Sequence, residues 1–173
     1  MSVAVIGDVM RVRGAGASRG LVAANRLALL LPLALLAGAW GSQLIGGLYP
    51  CEMCHWQRWP HYAALVLAGA AFFAGRARAS LVVLAAMAIG VSGAIGMFHA
   101  GVEYGWWQGV TGCSGALDLA GLSPAERLDA IMGAPLIRCD RPAWTFAGVS
   151  LAGFNALFSI SGAVAIFLLM RRR

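Results

Sequence analysis

Lysine is absent, and only 12 % of the 173 residues are charged against 60 % hydrophobic. With a mean hydropathy of +0.77, too little polar surface remains to cover a water-soluble globule, which excludes an ordinary soluble domain. The missing lysine also argues against nucleic acid as a partner, despite a formal charge of +6. All the basic charge is arginine, and the arginines flank apolar runs instead of interleaving with exposed aromatics. No strand–helix–strand alternation marks a thioredoxin-like domain.

Four hydrophobic stretches are present, so lipid is the solvent and a helical bundle is the architecture that leaves no backbone group unsatisfied. The first, Leu27 to Leu48, carries no charge; its roughly 22 residues at about 1.5 Å each cross a hydrocarbon core of about 30 Å. Pro32 falls in its first turns, and Gly46, Gly47 and Pro50 end it. A second helix starting at Pro60 would be too short to span, so it is expected to begin near Cys54 with a distortion at Pro60. The expected spans are therefore about 27–48, 54–74, 81–101 and 144–170, joined on one side by loops of about 49–54 and 102–143. Gly90, Gly93, Gly96, Gly148 and Gly153 offer small contacts between helices. Residues 1–24 lack apolar periodicity and are expected to be a flexible cytoplasmic tail before a membrane domain over 25–173. A cleavable signal peptide ending at Ala37-Gly38-Ala39 is the alternative, disfavoured because the apolar run continues to Leu48.

Arginine placement sets the orientation. Arg11, Arg13, Arg19 and Arg26 precede the first span, Arg76 and Arg78 join the second to the third, and Arg171, Arg172 and Arg173 follow the fourth. These belong on the cytoplasmic side. Both termini are then inside, and Cys51, Cys54, Cys113 and Cys139 all face the opposite compartment. In a bacterium that is the periplasm, where disulfides persist.

The cysteines carry the chemistry. Cys51-Glu52-Met53-Cys54 is a C-x-x-C motif between the first two spans; such a pair closes a small disulfide ring and commonly makes one thiol acidic. Arg58 follows Cys54 by one helical turn, and its charge together with the helix N-terminus favours Cys54 as thiolate. The bland reading of Arg58 is an interfacial arginine snorkelling to phosphates. A four-thiolate zinc site would show two C-x-x-C knuckles, whereas Cys113 and Cys139 are separated by most of the second loop. Two inert disulfides are the remaining structural alternative, although a membrane bundle hardly needs them. Within that loop Ser123-Pro124-Ala125-Glu126 forms a capping-box signature, and Leu128, Ile131 and Met132 share one face of the helix it starts. A short amphipathic helix lying on the membrane interface is expected there.

Taken together, Cys51-x-x-Cys54 after the first span, Gln57-Arg58 in the second, Gly101-Val102-Glu103-Tyr104-Gly105-Trp106-Trp107, Cys113-Ser114-Gly115, and Cys139 resemble the DsbB family from about Leu27 to Met170. The resemblance implies an all-α, four-span inner-membrane enzyme, with the amphipathic helix in its second periplasmic loop. Such an enzyme reoxidises a periplasmic DsbA-like thioredoxin-fold protein and passes the electrons to membrane quinone, ubiquinone or menaquinone. It implies that the partner attacks Cys113 of a Cys113–Cys139 disulfide, that Cys139 attacks Cys51, and that Cys54 faces quinone with Arg58 at a carbonyl oxygen. His99 is similar to the family's quinone-side histidine, with an interfacial structural histidine as its alternative. No metal is implied. Glu52 departs from the apolar residue expected inside the motif. His55 and His61 carry weaker signals, and Asn155 in the fourth span reads as an interhelical hydrogen bond. A vitamin K epoxide reductase-like enzyme would place its C-x-x-C in a late helix, and a non-enzymatic membrane scaffold or metal-binding protein would show no quinone-dependent turnover.

Overall fold

The computed structural model describes residues 3–112, 120–133 and 137–172, with side chains from Arg19 onward. Five α-helices occur among them: α1 (Val3–Leu44), α2 (Glu52–Ala71), α3 (Arg78–Glu103), α4 (Pro124–Met132) and α5 (Leu151–Arg171). Three segments, Arg19–Leu44, Gly75–Glu103 and Leu151–Arg171, are long and apolar enough to cross a membrane unaided. Helix α2 is not among them, because Glu52, His55, Gln57, Arg58 and His61 fill its first turns. It packs nonetheless against both α1 and α3, and α3 packs against α5.

Several expected boundaries move. The segment read as a flexible tail is helical from Val3, and α1 ends at Leu44 instead of Leu48. Absent periodicity excludes a helix only when it must show one apolar stripe; this segment is free of proline, the residue that would break it. At Gly20 the helix passes so close to the end of α5 that a Cβ would lie 2.6 Å from the Leu169 carbonyl oxygen. Pro32 is therefore interior and fully buried. Helix α2 starts at Glu52, with Cys51 as its N-cap, and continues through Pro60. The last span begins at Leu151 and not at Trp144, because Thr145–Phe146 and Val149–Ser150 pair as a two-stranded hairpin. Its two-residue turn, Ala147-Gly148, has positive φ at both positions (50° and 79°), the geometry that tight hairpins require. Ser150 then caps α5, accepting a hydrogen bond from the Gly153 N–H at 3.1 Å.

The core is built from small residues. Ala24, Ala28, Ala64, Ala68, Ala85, Ala86 and Ala163 surround Val82, Ile89 and Ile166, so the four long helices approach closely, as lipid-embedded helices do. Of the glycines expected at contacts, Gly93 and Gly96 on α3 meet α5 directly; a Cβ at Gly96 would lie 3.0 Å from the Ala152 carbonyl oxygen. Gly148 instead serves the hairpin turn.

Helix α4 has the capping box read from the sequence: the Ser123 hydroxyl accepts from the Glu126 N–H, and the Glu126 carboxylate accepts from the Ser123 N–H at 2.8 Å. Leu128, Ile131 and Met132 are exposed on its surface.

Candidate active site

The N-terminus of α2 holds the C-x-x-C. Cys51 is its N-cap, and the Sγ atom accepts from the Cys54 N–H at 3.3 Å. Capping fixes the direction of the sulfur and brings it within 2.9 Å of the Cys54 sulfur, both cysteines being free thiols. The hydrogen bond to Cys54 and burial push the Cys51 thiol up from its ordinary pKa, so Cys51 holds its proton the more strongly of the two and donates to Cys54.

Cys139, in the second loop, is fully buried and disulfide-bonded. It packs with Cys51, Met53 and Val102, flanked by Cys54 and Phe98. The sulfurs of Cys51 and Cys139 and a ring nitrogen of His99 lie within 4.8 Å of one another. That trio has the composition of a metal site, yet the Cys139 sulfur is committed to a disulfide and cannot serve as a thiolate ligand. Cys113 lies outside the described residues.

His99 stands at the sulfurs. Its Nε2 is 3.5 Å from Cys51 Sγ, and its Nδ1 is 2.8 Å from Gln57 Nε2. The Gln57 amide donates to Nδ1, so Nε2 carries the proton, within reach of both the Cys51 sulfur and the Cys139 backbone. Glu103, one turn further along α3, has a carboxylate oxygen 3.8 Å from the same ring nitrogen.

On the other side of Cys54 lies a cavity of about 260 Å³ between α1, α2 and α5. Its walls are mainly apolar, from Leu35, Leu36, Pro50, Leu151, Phe154 and Phe158. The polar side chains include Cys54, Gln57, Arg58 and His61, spaced i, i+3, i+4 and i+7 along one face of α2, with Asn155 from α5. Arg58 is only 7 % exposed, its guanidinium turned into the protein. Its Nη1 donates to Gln43 Oε1 at 2.8 Å, its Nη2 to the Ala39 carbonyl at 3.1 Å, and the guanidinium stacks 5.2 Å from the Trp40 ring centre. Among the described residues it forms no ion pair with a carboxylate. A buried, uncompensated cation at an apolar cavity suits a ligand oxygen that acquires negative charge. His99 is not among the residues lining this cavity.

Polar residues of three helices join the two regions, and among them Ser92 carried no sign in the sequence. Asn155 Nδ2 donates to Gln57 Oε1 at 2.9 Å, as an interhelical hydrogen bond, while His61 Nε2 meets Asn155 Oδ1 at 2.9 Å and Ser92 Oγ at 2.9 Å. Position i+7 from Cys54 was the signal available for His61, and a lone amide within an apolar span was the signal for Asn155; Ser92 on α3 had none.

A family model described as Disulfide bond formation protein DsbB matches residues 22–169. No curated protein and no solved structure matches the chain. With nearly the whole chain covered and a buried dithiol set against a disulfide-bonded cysteine, the chain belongs to the DsbB family of membrane thiol oxidoreductases for disulfide bond formation.

Proposed function

We propose that this protein reoxidises a DsbA-like dithiol oxidase of the periplasm and delivers the two electrons to membrane quinone. The observation that carries the reading is the position of the C-x-x-C pair. Cys51 faces the Cys139 sulfur, and Cys54 opens onto the cavity that holds Arg58. The orientation follows the arginines, with both termini in the cytoplasm and all cysteines outside. Helix α2 is the second of four spans, its polar first turns shielded by α1, α3 and α5, and α4 lies on the outer interface with its apolar face toward lipid.

In the relay, a thiolate of the partner attacks Cys113 in a Cys113–Cys139 disulfide, and Cys139 leaves as thiolate. Cys139 attacks Cys51 of an oxidised C-x-x-C, which releases Cys54. The partner's second thiol displaces Cys113 and leaves the partner oxidised. Cys113 then closes back on Cys139 and frees Cys51. Two electrons and two protons have moved from the partner to the Cys51 and Cys54 dithiol, and the second loop is a disulfide again. Free Cys51 and Cys54 beside disulfide-bonded Cys139 match that stage. His99 supports it by donating to the Cys51 sulfur whenever that sulfur leaves as thiolate.

The cavity residues fit a quinone head: apolar walls, a sulfur at one end, and a fixed cation. Bound quinone supplies an acceptor for the dithiol's electrons. Cys54 supplies the nucleophilic sulfur, Arg58 holds positive charge at the cavity wall, and the aliphatic and aromatic walls exclude water. The test is anaerobic mixing of the purified protein with a reduced DsbA-type protein and ubiquinone-1. Stoichiometric hydroquinone is expected; oxidised partner without hydroquinone would refute the electron acceptor.

A further inference from the structure

His61 is 3 % exposed, lines the cavity, and has a buried Nδ1 without a hydrogen-bond partner among the described residues. Its other nitrogen is heavily engaged. Asn155 Nδ2 donates to Gln57 Oε1 and to the Ser92 carbonyl, which leaves Asn155 Oδ1 as the acceptor facing His61 Nε2 at 2.9 Å. The Ser92 hydroxyl donates to the Gln57 carbonyl at 2.8 Å, so its lone pairs also face Nε2. These neighbours put the proton on Nε2 and leave Nδ1 of the neutral ring as a bare acceptor.

The ring cannot turn over without losing this network. The network itself continues from His61 through Asn155, Gln57 and His99 to the Cys51 sulfur, with every donor pointing toward Cys51. Such chains strengthen when their first acceptor receives a donor. A buried acceptor left unpaired is costly, and a ligand that displaces water from it relieves that cost by bringing a hydrogen of its own. A quinone carbonyl brings a second lone pair, whereas a hydroquinone hydroxyl brings the missing donor.

We propose that His61 Nδ1 accepts a hydrogen bond from a hydroquinone hydroxyl and so makes this cavity bind hydroquinone more tightly than quinone. The inference rests on the reading of the cavity as the quinone site and adds its selectivity. The consequence for the reaction is direct. A site that prefers the reduced form raises the potential of what it binds, by about 30 mV for a tenfold preference in a two-electron couple. Bound quinone thereby becomes a better acceptor for the dithiol.

The experiment measures equilibrium binding of ubiquinone-1 and of its hydroquinone by tryptophan fluorescence, anaerobically. The full-length protein carries Cys54→Ser so that no electrons move. His61→Gln places an amide nitrogen where Nε2 stood and keeps the bond to Asn155, but leaves nothing at Nδ1; His61→Asn places its polar group near Nδ1 and gives up Asn155. Hydroquinone should bind roughly tenfold more tightly than quinone to the parent protein. In His61→Gln hydroquinone affinity should fall about tenfold with quinone affinity within twofold, and in His61→Asn the preference should persist within about threefold. Equal loss of both affinities, or an unchanged preference in His61→Gln, overturns the role of Nδ1. If His61→Gln does not fold, loss of the preference in folded His61→Asn overturns it as well. Absence of saturable binding of either form to the parent overturns the quinone reading of the cavity itself.

Discussion

The Nε2 atom of His99 lies 3.5 Å from the sulfur of Cys51, and Cys139 is near enough to both that the three reactive atoms fall within 4.8 Å. The histidine therefore sits against Cys51 and Cys139, while the cavity beyond Cys54 is lined without it. In the proposed relay its hydrogen bond to Cys51 would act when that sulfur is displaced from Cys139. A bond to a charged sulfur is worth about 1.5 kcal/mol, roughly tenfold in rate. We expect His99→Ala to slow recovery of the Cys51 and Cys54 dithiol about tenfold, with the affinity for ubiquinone-1 unchanged. Stopped-flow quenching of the thiols measures the first and equilibrium binding the second. A fall in quinone affinity with unaltered exchange would move His99 to the cavity.

The cysteines are expected to separate by role. Cys113→Ser should abolish the mixed disulfide with a reduced DsbA-type partner, and Cys139→Ser should accumulate it, because the displaced thiolate that continues the relay is gone. Non-reducing electrophoresis after acid quenching reads both results. Wild-type partner oxidation in both variants would show that the second loop is not where the partner reacts.

Much of the site was legible in the sequence for local reasons. A C-x-x-C before an apolar run specifies a capped helix start, and Arg58 follows Cys54 by one turn whatever the rest of the chain does. The capping box at Ser123 and Glu126 is local in the same way. His99 was different: its spacing along the chain was informative, but the face it shows to α2 depends on how α3 crosses α2. That crossing is set by glycine and alanine contacts, which have no directional signature. The hairpin at Thr145 to Ser150 was hidden inside an apolar stretch that reads equally well as helix.

Helix crossing can be tested at Gly96. A Cβ there would lie 2.9 Å from Asn155 Nδ2 and 3.1 Å from the Ala156 backbone nitrogen. The backbone of α5 cannot yield as a side-chain tip can, so Gly96→Ala should cost about 1–3 kcal/mol. It should also loosen Asn155 from Gln57. Denaturant unfolding in detergent checks the stability, and an unchanged midpoint would mean that α3 and α5 are not held at this distance.

The proposed topology rests on charge: Arg76 and Arg78 lie at the α2–α3 connection, while Cys51, Cys54 and Cys139 lie at the other ends of those helices. In a protein with the four native cysteines replaced, Arg76→Cys should resist a membrane-impermeant maleimide in intact cells and react after permeabilisation. A cysteine in place of Arg127, within α4, should react in both conditions. Labelling of position 76 from outside would invert the orientation and remove the periplasmic partner.

Arg58 separates quinone reduction from disulfide stapling. Its guanidinium is held by Gln43 and the Ala39 carbonyl and stacked on Trp40, so the charge is fixed in place before any ligand arrives. Lysine keeps the charge but cannot span both acceptors with a planar fork; methionine keeps approximate length and removes the charge. Arg58→Lys should raise KM for ubiquinone-1 about tenfold with a smaller change in kcat. Arg58→Met should lower kcat about a hundredfold, the scale expected when a preorganised charge is removed from a developing oxyanion. Exchange between the partner and the second loop should be near wild type in both, because it occurs among Cys113, Cys139 and Cys51. Measuring that exchange without quinone guards against a folding defect. Unchanged quinone kinetics in Arg58→Met would leave this arginine as a structural tie between α1 and α2, and the cavity without its electrostatic role.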